Sequence, residues 1–416
     1  MRRPALCPFR QNHGPALGNP SLCSKAAFPQ GGGDSGITRP PPLQWFVMDT
    51  ITQALLGATT AQLGFRQRIG RDAGWMAAAA AVVPDLDIFV APLLSLTGAE
   101  VDGLAGLRYH RGLSHSLLAA PLLSLPVAVL WWWIRRSLRR RERPDAPHMT
   151  TSKPPPPFWM LYLCVLVAVA THPLLDWTTS YGTCLLAPLS EARYALDAAP
   201  IIDLIYTPLL VLTLLGCWVA RRVSRRPTRA TLIVGWTGFL LSCGYLAAGR
   251  ICHDVAIARA ERLLPPGQTV VRADAYPALG TIFLWRAVVE TPAGWHATRI
   301  HLFSSAAPET WKTSFAPRQA DNEWIDRARR TPEYETYRWF TSGRLRAENE
   351  RLDGTHVVKF HDMRYAETQW GAESLWPLVV SFGPEGEIIF VGRKRELPRR
   401  QFANHASQAW NDLWNP

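Results

Sequence analysis

The chain has 416 residues, of which 48% are hydrophobic, and a formal net charge of +12. This length allows two or three domains, and the hydrophobic fraction alone would also suit a soluble protein. The apolar residues, however, are concentrated between residues 73 and 249, and many arginines form short clusters beside apolar runs. Such clusters orient membrane segments, so the charge favours a membrane protein over a nucleic-acid-binding protein.

The first 47 residues are rich in Pro, Gly and Ser and lack the apolar core of a signal peptide. We expect them to form no part of the fold, either as a disordered cytoplasmic tail or as an extension that precedes a true start at Met48. A short amphipathic segment at 51–65 follows, and we expect it to lie against the membrane helices. The seven cysteines include no CxxC pair, which argues against a disulfide framework or a zinc ribbon.

Five segments are long enough, or nearly so, to cross a bilayer, which needs about 20 mostly apolar residues. They are residues 73–96, 113–134, 158–175, 201–220 and 231–249. Arginine clusters precede the first segment, lie between the second and third, and lie between the fourth and fifth. These connections are predicted to be cytoplasmic. The sequence therefore predicts a multi-pass protein of the bacterial inner membrane, with the chain after residue 249 in the periplasm.

Residues 250–416 contain more charges and no long apolar run. Short β-type runs occur at 281–289, 299–303, 356–360, 378–382 and 387–391, and residues 383–386 suit a hairpin connection between the last two. Thr331 before Pro332 is typical of a helix start. The predicted fold is an α-helical polytopic membrane bundle, with about five spans and an amphipathic N-terminal helix, followed by a small α+β extramembrane domain. Domain boundaries are expected at 1–47, 48–249 and 250–416.

Ionisable residues interrupt the apolar segments, where a charge costs a few kcal/mol and therefore marks a candidate functional site. These residues are Asp85, Asp87, His110, Arg111, His115, His172, Asp176, Asp197 and Asp203. Each of them alone could serve as a helix cap, a solvated turn or a surface contact. The predicted topology, however, brings all of them to the periplasmic face. Together they predict a metal site, and a polar network that packs helices without a metal is the alternative.

Imidazole and carboxylate groups bind zinc, manganese and iron, and carboxylate-rich sites also bind magnesium. The predicted ligands are Asp85, Asp87, His110, His115, His172 and Asp176. If all six bind, they suffice for two metals; otherwise one or two carboxylates are left for general-base work. We expect Asp197 and Asp203 to orient histidines or to bind directly, and Arg111 to hold an anionic group of the substrate.

Local spacing suggests how these ligands are arranged. His172 and Asp176 are four residues apart and would project from one face of a helix. An extended or irregular backbone would point Asp85 and Asp87 in the same direction. We expect His110 in the loop and His115 in the first turn of the second span, with the residue before His115 as a helix cap.

Several motifs occur in a set order along residues 48 to 249. They are Met48-Asp49-Thr50-Ile51-Thr52-Gln53-Ala54, Pro84-Asp85-x-Asp87, His110-Arg111-Gly112-x-Ser114-His115-Ser116, His172-Pro173-x-x-Asp176, Tyr181-Gly182-Thr183, Ala195-Leu196-Asp197 and Ile202-Asp203. With these motifs the chain resembles the family of membrane-bound metal-dependent hydrolases, whose founding members are inner-membrane proteins regulated by the SOS repressor. A likeness to zinc-dependent phospholipases is more distant. The resemblance implies a hydrolase but supplies no substrate.

The sequence therefore predicts a hydrolase that acts at the periplasmic face on a membrane-associated or lipid substrate, with a phosphoester as one candidate. Zinc is the expected metal, and manganese, iron and magnesium are the alternatives. Expected partners are membrane lipids and an anionic or lipid substrate, without nucleic acid; the sequence does not indicate the oligomeric state. The rival hypotheses are a metal or proton conduit, which would place its ionisable groups near the bilayer midplane, and a scaffold.

Overall fold

The N-terminal half of the described chain is built from apolar helices. The computed structural model describes residues 43–98, 103–141, 155–304, 313–365 and 373–393. The first helices are α1 (Leu43–Ala61), α2 (Phe65–Ile69), α3 (Ala73–Val82) and α4 (Val90–Leu96), with a 3₁₀ helix at Val83–Phe89 between α3 and α4. They are followed by α5 (Ala105–Tyr109), a 3₁₀ turn (Leu113–His115), α6 (Ala120–Arg141), α7 (Phe158–Trp177), α8 (Tyr206–Val223) and α9 (Pro227–Glu261).

Small residues allow the central helices to approach closely. Helix α1 packs against α3, α7 and α8, and α3 packs against α7. The buried core between them is rich in alanine and includes Ala77, Ala80 and Ala168. A Cβ atom at Gly57 of α1 would lie 2.5 Å from the carbonyl oxygen of Ala77. Such close backbone contact is typical of helices packed in a membrane, where small residues form the interfaces.

Three helical stretches are long and apolar enough to cross a membrane: Ala73–Leu96, Phe158–Trp177 and Pro227–Glu261. A bent pair, Ala105–His115 and Ala120–Leu138 with 76° between its halves, makes a fourth if it forms one span. Among the described residues, α8 is not one of these stretches; it begins only at Tyr206 and ends in basic residues. The prediction of five spans is therefore only partly supported.

The ends of the predicted segments differ from the structure in two places. Most of residues 1–47 lie outside the described residues, but 43–47 belong to α1, although the sequence suggested that they form no part of the fold. At the other end, α9 continues through the predicted domain boundary at 249/250 as far as Glu261.

The C-terminal part contains two antiparallel four-stranded sheets, in agreement with the predicted mostly antiparallel α+β domain. The first sheet has the order β1 (Arg272–Pro277), β2 (Leu284–Thr291), β3 (Gly294–His301) and β4 (Thr313–Pro317). Two helices, α10 (Glu323–Arg329) and α11 (Pro332–Phe340), lead to the second sheet of β5 (Leu345–Leu352), β6 (Thr355–Asp362), β7 (Leu378–Phe382) and β8 (Ile388–Arg393). The last turns of α9 pack on the first sheet through Ala256 and Ala260.

Local sequence signals in this part are confirmed at two positions. The Thr331 side chain accepts a hydrogen bond from the backbone N–H of Tyr334, as expected for the cap of α11. Strands β7 and β8 form the predicted hairpin. Strand β5 escaped prediction because its sequence, LRAENERL, carries four charges and no β-branched residue.

The second sheet also packs against the membrane half. Leu104 and Leu107, beside and within α5, share one buried core with Tyr337 and Phe340 of α11 and with Phe360 of β6. Because α5 ends at Tyr109, this core lies next to the segment that carries the first predicted histidine ligand.

Candidate metal centre

Two histidines and two aspartates from three separate segments meet inside the helical half. The Nε2 atoms of His115 and His172 lie 3.0 Å apart. The Asp85 Oδ1 atom lies 3.5 Å from the first and 3.3 Å from the second. The Asp176 Oδ2 atom lies 3.3 Å and 3.6 Å from the same two nitrogens. A tetrahedral zinc ion with bonds of about 2.0–2.1 Å separates its ligand atoms by about 3.3 Å. The distances of 3.0, 3.3 and 3.6 Å among His115, His172 and Asp176 are close to this value.

The hydrogen bonds on the far side of each imidazole ring set its tautomer. His172 Nδ1 lies 2.6 Å from the carbonyl oxygen of Ala81, which can only accept, so Nδ1 carries the proton. His115 Nδ1 lies 2.9 Å from Ser114 Oγ, whose own proton goes to Asp87, and 3.0 Å from a carboxylate oxygen of Asp87, so it carries a proton as well. Both Nε2 atoms of the neutral rings then present lone pairs to each other. Facing lone pairs repel, so this arrangement calls for a cation between them, either a metal ion or a shared proton.

Asp87 lies on the outer side of His115 and binds several donors. Its Oδ2 atom accepts hydrogen bonds from the backbone N–H of Arg111 at 3.1 Å and from Ser114 Oγ at 2.5 Å, besides His115 Nδ1. Its Oδ1 atom lies 2.9 Å from His110 Nδ1. A carboxylate behind a histidine fixes the ring orientation and raises the basicity of the opposite nitrogen. In this position Asp87 orients His115 from behind.

The backbone that carries these aspartates differs from the expected extended form. Residues Val83–Phe89 form a 3₁₀ helix with Pro84 in its first turn, and the proline ring lacks the N–H needed to continue α3 normally. Asp85 and Asp87 therefore do not point the same way but approach the His115 ring from its Nε2 and Nδ1 sides respectively.

The segment around His115 also differs from the prediction, whereas the one around His172 agrees with it. His115 lies in a separate 3₁₀ turn, not in the first turn of α6, which begins at Ala120. Ser114 does not cap a helix, because its hydroxyl donates to Asp87. His172 and Asp176 do share one face of α7, where His172 Nε2 and Asp176 Oδ2 lie 3.6 Å apart.

Two further side chains hold Asp176. The Nε atom of Arg111 lies 3.1 Å from Asp176 Oδ2, and Arg111 Nη1 donates to Thr179 Oγ1 at 2.8 Å. Gln53 Nε2 donates to Asp176 Oδ1 at 3.0 Å. Arg111 is buried and has a left-handed backbone with φ of 59°. The guanidinium predicted to hold a substrate anion is thus already in contact with a candidate ligand.

Sequence reasoning did not assign Gln53 or Thr50 to the site. Thr50 Oγ1 donates to Asp85 Oδ2 at 3.1 Å, and Gln53 supports Asp176 from the same helix. The signal was present, because the two polar residues are three positions apart in α1 and so share one face of the helix.

The other two predicted aspartates lie in different surroundings. Asp203 Oδ1 accepts from the backbone N–H groups of Ile205 and Tyr206 at the start of α8, and its Oδ2 atom accepts from Tyr245. Asp197 is buried with a left-handed φ of 51°, and this burial raises the pKa of its carboxyl group. The contacts described for Asp203 are with a helix start and a tyrosine, not with a histidine of the cluster.

The cluster opens on the side of Asp85. The side chains of His115, His172 and Asp176 are at most 1% exposed, whereas that of Asp85 is 14% exposed. On the same 3₁₀ helix, Leu86 and Phe89 are more than half exposed. A group that reached the cluster from this side would therefore pass apolar side chains first.

Comparison with known proteins agrees with the membrane character of these helices. Residues 48–251 match the family model described as YdjM inner membrane protein. No curated protein and no solved structure matches the chain. The matched segment contains every residue of the cluster, from Gln53 to Asp176. The match and the apolar helices together support a membrane protein that is similar, over residues 48–251, to the YdjM inner membrane protein family.

Proposed function

We propose that this chain is a metal-dependent hydrolase of the inner membrane that holds a divalent ion, with zinc as the first choice, through His115, His172 and Asp176. The observation that carries the proposal is the pair of Nε2 atoms 3.0 Å apart, with both Nδ1 protons directed to acceptors on the other side. All three ligand groups lie within 4.8 Å of one another and are buried. Three protein ligands with one open position are typical of catalytic zinc sites.

Asp85 is the group best placed to act at the open position. It lies beside both Nε2 atoms, is the most exposed member of the cluster, and has one oxygen held by Thr50. We assign it either the fourth ligand position or the general base that takes a proton from water. When bound, a divalent metal supplies Lewis-acid polarisation of the scissile group and activation of water. Arg111 and Gln53 keep Asp176 in place.

The surroundings of Asp85 favour a lipid substrate. Leu86, Phe89 and Leu113 flank the candidate ligands in sequence and are each more than half exposed. In a bilayer such side chains lie against acyl chains, so a lipid could bring its ester or phosphoester group to Asp85 without leaving the membrane. We propose a phosphoester lipid as the first class to test, with a carboxyl ester as the second.

The position of the cluster favours a hydrolase over a conduit. His172 lies about 21 Å along α7, a helix of about 30 Å, at 1.5 Å per residue. Towards the start of α7, the next turns bury Val165, Ala168 and Val169 in an apolar core. A conduit needs polar groups on both sides of its site. The buried side chains of α7 between Leu161 and Val169 are apolar instead.

Metal analysis of the detergent-purified full chain tests the binding step. We expect about one zinc, manganese or iron ion per chain, lost in a His115→Ala, His172→Ala double variant. The matched control is a His296→Ala, His356→Ala double variant in the C-terminal sheets, which should keep the metal. A folded wild type that holds no metal and takes none up on reloading would rule out the proposed centre.

A lipid hydrolysis assay then tests the chemical step. Metal-loaded and chelator-treated wild type are compared on phosphoester and carboxyl-ester lipids in mixed micelles, with Asp85→Asn as the variant. Metal-dependent release of a headgroup or fatty acid is expected, with a large loss in Asp85→Asn. Stoichiometric metal without hydrolysis of either class would refute the hydrolase, and metal flux measured in proteoliposomes would then support the conduit.

The proposed orientation places the C-terminal domain in the periplasm, because the arginine clusters lie in the connections predicted to be cytoplasmic. Fusions of alkaline phosphatase and of a fluorescent protein after residue 393 test this orientation. Phosphatase activity without fluorescence is expected, and the opposite result would place the domain in the cytoplasm.

A further inference from the structure

We infer that the C-terminal domain positions the metal centre, and that Arg364 is the positioning residue that connects the two. The functional consequence rests on the proposed metal site, whereas the structural connection does not. The domain reaches the centre through the loop that follows α7, in particular through Tyr181.

Arg364 joins the second sheet to this loop. It is buried, and its Nε and Nη2 atoms donate to the two oxygens of Asp362 at 3.0 Å and 2.8 Å. Its remaining nitrogen, Nη1, donates to the carbonyl oxygens of Tyr181 at 3.0 Å and Ser180 at 3.3 Å. Burial lowers the pKa of Arg364, but the adjacent Asp362 carboxylate outweighs this and raises it above its ordinary value. The Arg364 guanidinium is therefore permanently charged and binds two consecutive carbonyl groups of the loop.

The ring of Tyr181 lies between the C-terminal domain and the metal centre. On one side its centroid is 5.0 Å from the ring of Phe340 in α11. On the other side it is 5.6 Å from the ring of His110 and 4.9 Å from Cζ of Arg111. Both of these residues contact carboxylates of the centre, since His110 reaches Asp87 and Arg111 reaches Asp176. A shift of Tyr181 would therefore move two supports of the centre.

A second attachment lies beside Arg364 and makes the placement of Tyr181 rigid. The guanidinium of Arg193 lies 5.3 Å from the Tyr181 ring and 5.0 Å from the ring of Trp339 in α11, measured from Cζ to the centroids. Its Nη2 atom donates to the carbonyl oxygen of Gly182 at 2.7 Å. Trp339 Nε1 in turn donates to the carbonyl oxygen of Glu191 at 2.7 Å. The loop is thus held on both sides of Tyr181. Arg364 and Trp339 of the C-terminal domain bind it directly, and Arg193 of the loop packs on Trp339.

Replacement of Arg364 by lysine should release the loop without removing the charge. Lysine presents a single ammonium group, so it cannot bind Asp362 through two nitrogens and also donate to two carbonyl groups. Groups that support metal ligands from behind typically contribute 10–100-fold to metal affinity. We expect Arg364→Lys to weaken zinc binding by about 10-fold, even though Arg364 contacts none of the four candidate ligand atoms in the part of the chain described.

The test measures zinc affinity of the full chain in detergent by competition with a chromophoric chelator. Val289→Ala is the control, because Val289 is buried in the core of the first sheet and its truncation destabilises the domain without touching the loop. We expect Val289→Ala to lower the melting temperature but to keep the wild-type zinc affinity. If the two variants lower zinc affinity equally, the effect of Arg364→Lys is general destabilisation, and the inference fails.

A double-mutant cycle with Tyr181→Leu shows whether Arg364 acts through Tyr181. Each single change should weaken zinc binding by about 10-fold, and the double variant should also lose about 10-fold, not about 100-fold. Full additivity, or wild-type affinity in Arg364→Lys, would overturn the inference.

Hydrogen exchange in metal-free protein provides a readout that is independent of the metal. The backbone N–H of Cys184 donates to the carbonyl oxygen of Arg111, and that of Thr183 to the carbonyl oxygen of Tyr194. Arg364→Lys should accelerate exchange at both amides, and Val289→Ala should not. A wild type without zinc affinity would refute the metal site alone, and this exchange experiment would then decide the inference. Unchanged exchange in Arg364→Lys would overturn it.

Discussion

Replacement of Asp87 by asparagine tests whether Asp87 orients the ligand His115 or binds the metal itself. The Asp87 carboxylate accepts hydrogen bonds from Ser114 Oγ at 2.5 Å, the Arg111 backbone N–H at 3.1 Å and His115 Nδ1 at 3.0 Å, all through Oδ2. Asparagine has almost the same shape and can keep its carbonyl oxygen in that position. Its amide group would then face His110 Nδ1, which is able to accept in its other tautomer.

The expected loss follows from charge alone. A hydrogen bond to a carboxylate contributes about 1.5–3 kcal/mol and one to a neutral amide oxygen about 0.5–1.5 kcal/mol, so His115 loses about 1–2 kcal/mol of support. At about 1.4 kcal/mol per factor of ten, zinc affinity should fall by about 5- to 30-fold. Asp85→Asn removes a carboxylate that lies beside both Nε2 atoms, so its loss should be clearly larger.

Chelator competition on the three proteins, with Asp72→Asn as the control, tests this ranking. Asp72 forms an ion pair with Arg135 at the opposite end of α3, and its replacement should leave zinc affinity unchanged. A loss in Asp87→Asn well above about 30-fold, and equal to that in Asp85→Asn, would mean that Asp87 binds the metal directly. Wild-type affinity in Asp87→Asn would refute the argument that its carboxylate sets the His115 tautomer.

Gly57→Ala should destabilise the helices by about 1–3 kcal/mol because its Cβ would lie 2.5 Å from a carbonyl oxygen. Gly244→Ala, with nothing within 4 Å, should raise the melting temperature slightly, and equal shifts would contradict the packing argument. A hydrogen bond from His361 lowers the pKa of Glu348 from 4.5 to about 2. Its stabilisation is present above pH 4.5 and lost as the pH falls through about 2. Glu348→Gln should therefore lower the free energy of unfolding by about 1–2 kcal/mol at pH 7, after allowance for solvent screening, and by little near pH 2. A loss of stability that does not depend on pH in thermal melts would refute this. Gln53→Leu should weaken zinc binding by about 10-fold, since Asp176 loses a donor, and unchanged affinity would assign Gln53 to packing alone.

The sequence was informative where a polar residue interrupts an apolar helix. His172 and Asp176 share a face of α7 because helical periodicity places residues i and i+4 together. The different directions of Asp85 and Asp87 could not be predicted, because the 3₁₀ helix depends on how Pro84 ends α3 against its neighbours. The role of Gln53 was hidden for another reason: a glutamine in a helix does not show which carboxylate its amide group contacts.

The arrangement of the C-terminal domain was beyond sequence reasoning for a different physical cause. Its contacts with the centre are long-range, since Arg364 reaches the carbonyl oxygen of Tyr181 across 183 residues of the chain. Neither residue is unusual in its own segment, and no spacing rule relates them. Periodicity describes one element at a time, whereas such contacts depend on how the second sheet and a distant loop dock.

The charge of the cluster favours a divalent ion over a shared proton as the proposed cation between His115 and His172. The carboxylates of Asp85, Asp87 and Asp176 surround the two neutral rings. One guanidinium, that of Arg111, forms an ion pair with Asp176. These groups leave two negative charges in a buried region of a membrane protein, where an uncompensated charge costs several kcal/mol. A proton would neutralise only one of the two, whereas a divalent ion neutralises both and satisfies both Nε2 lone pairs. The charge balance therefore favours a divalent metal on grounds that are independent of the ligand distances.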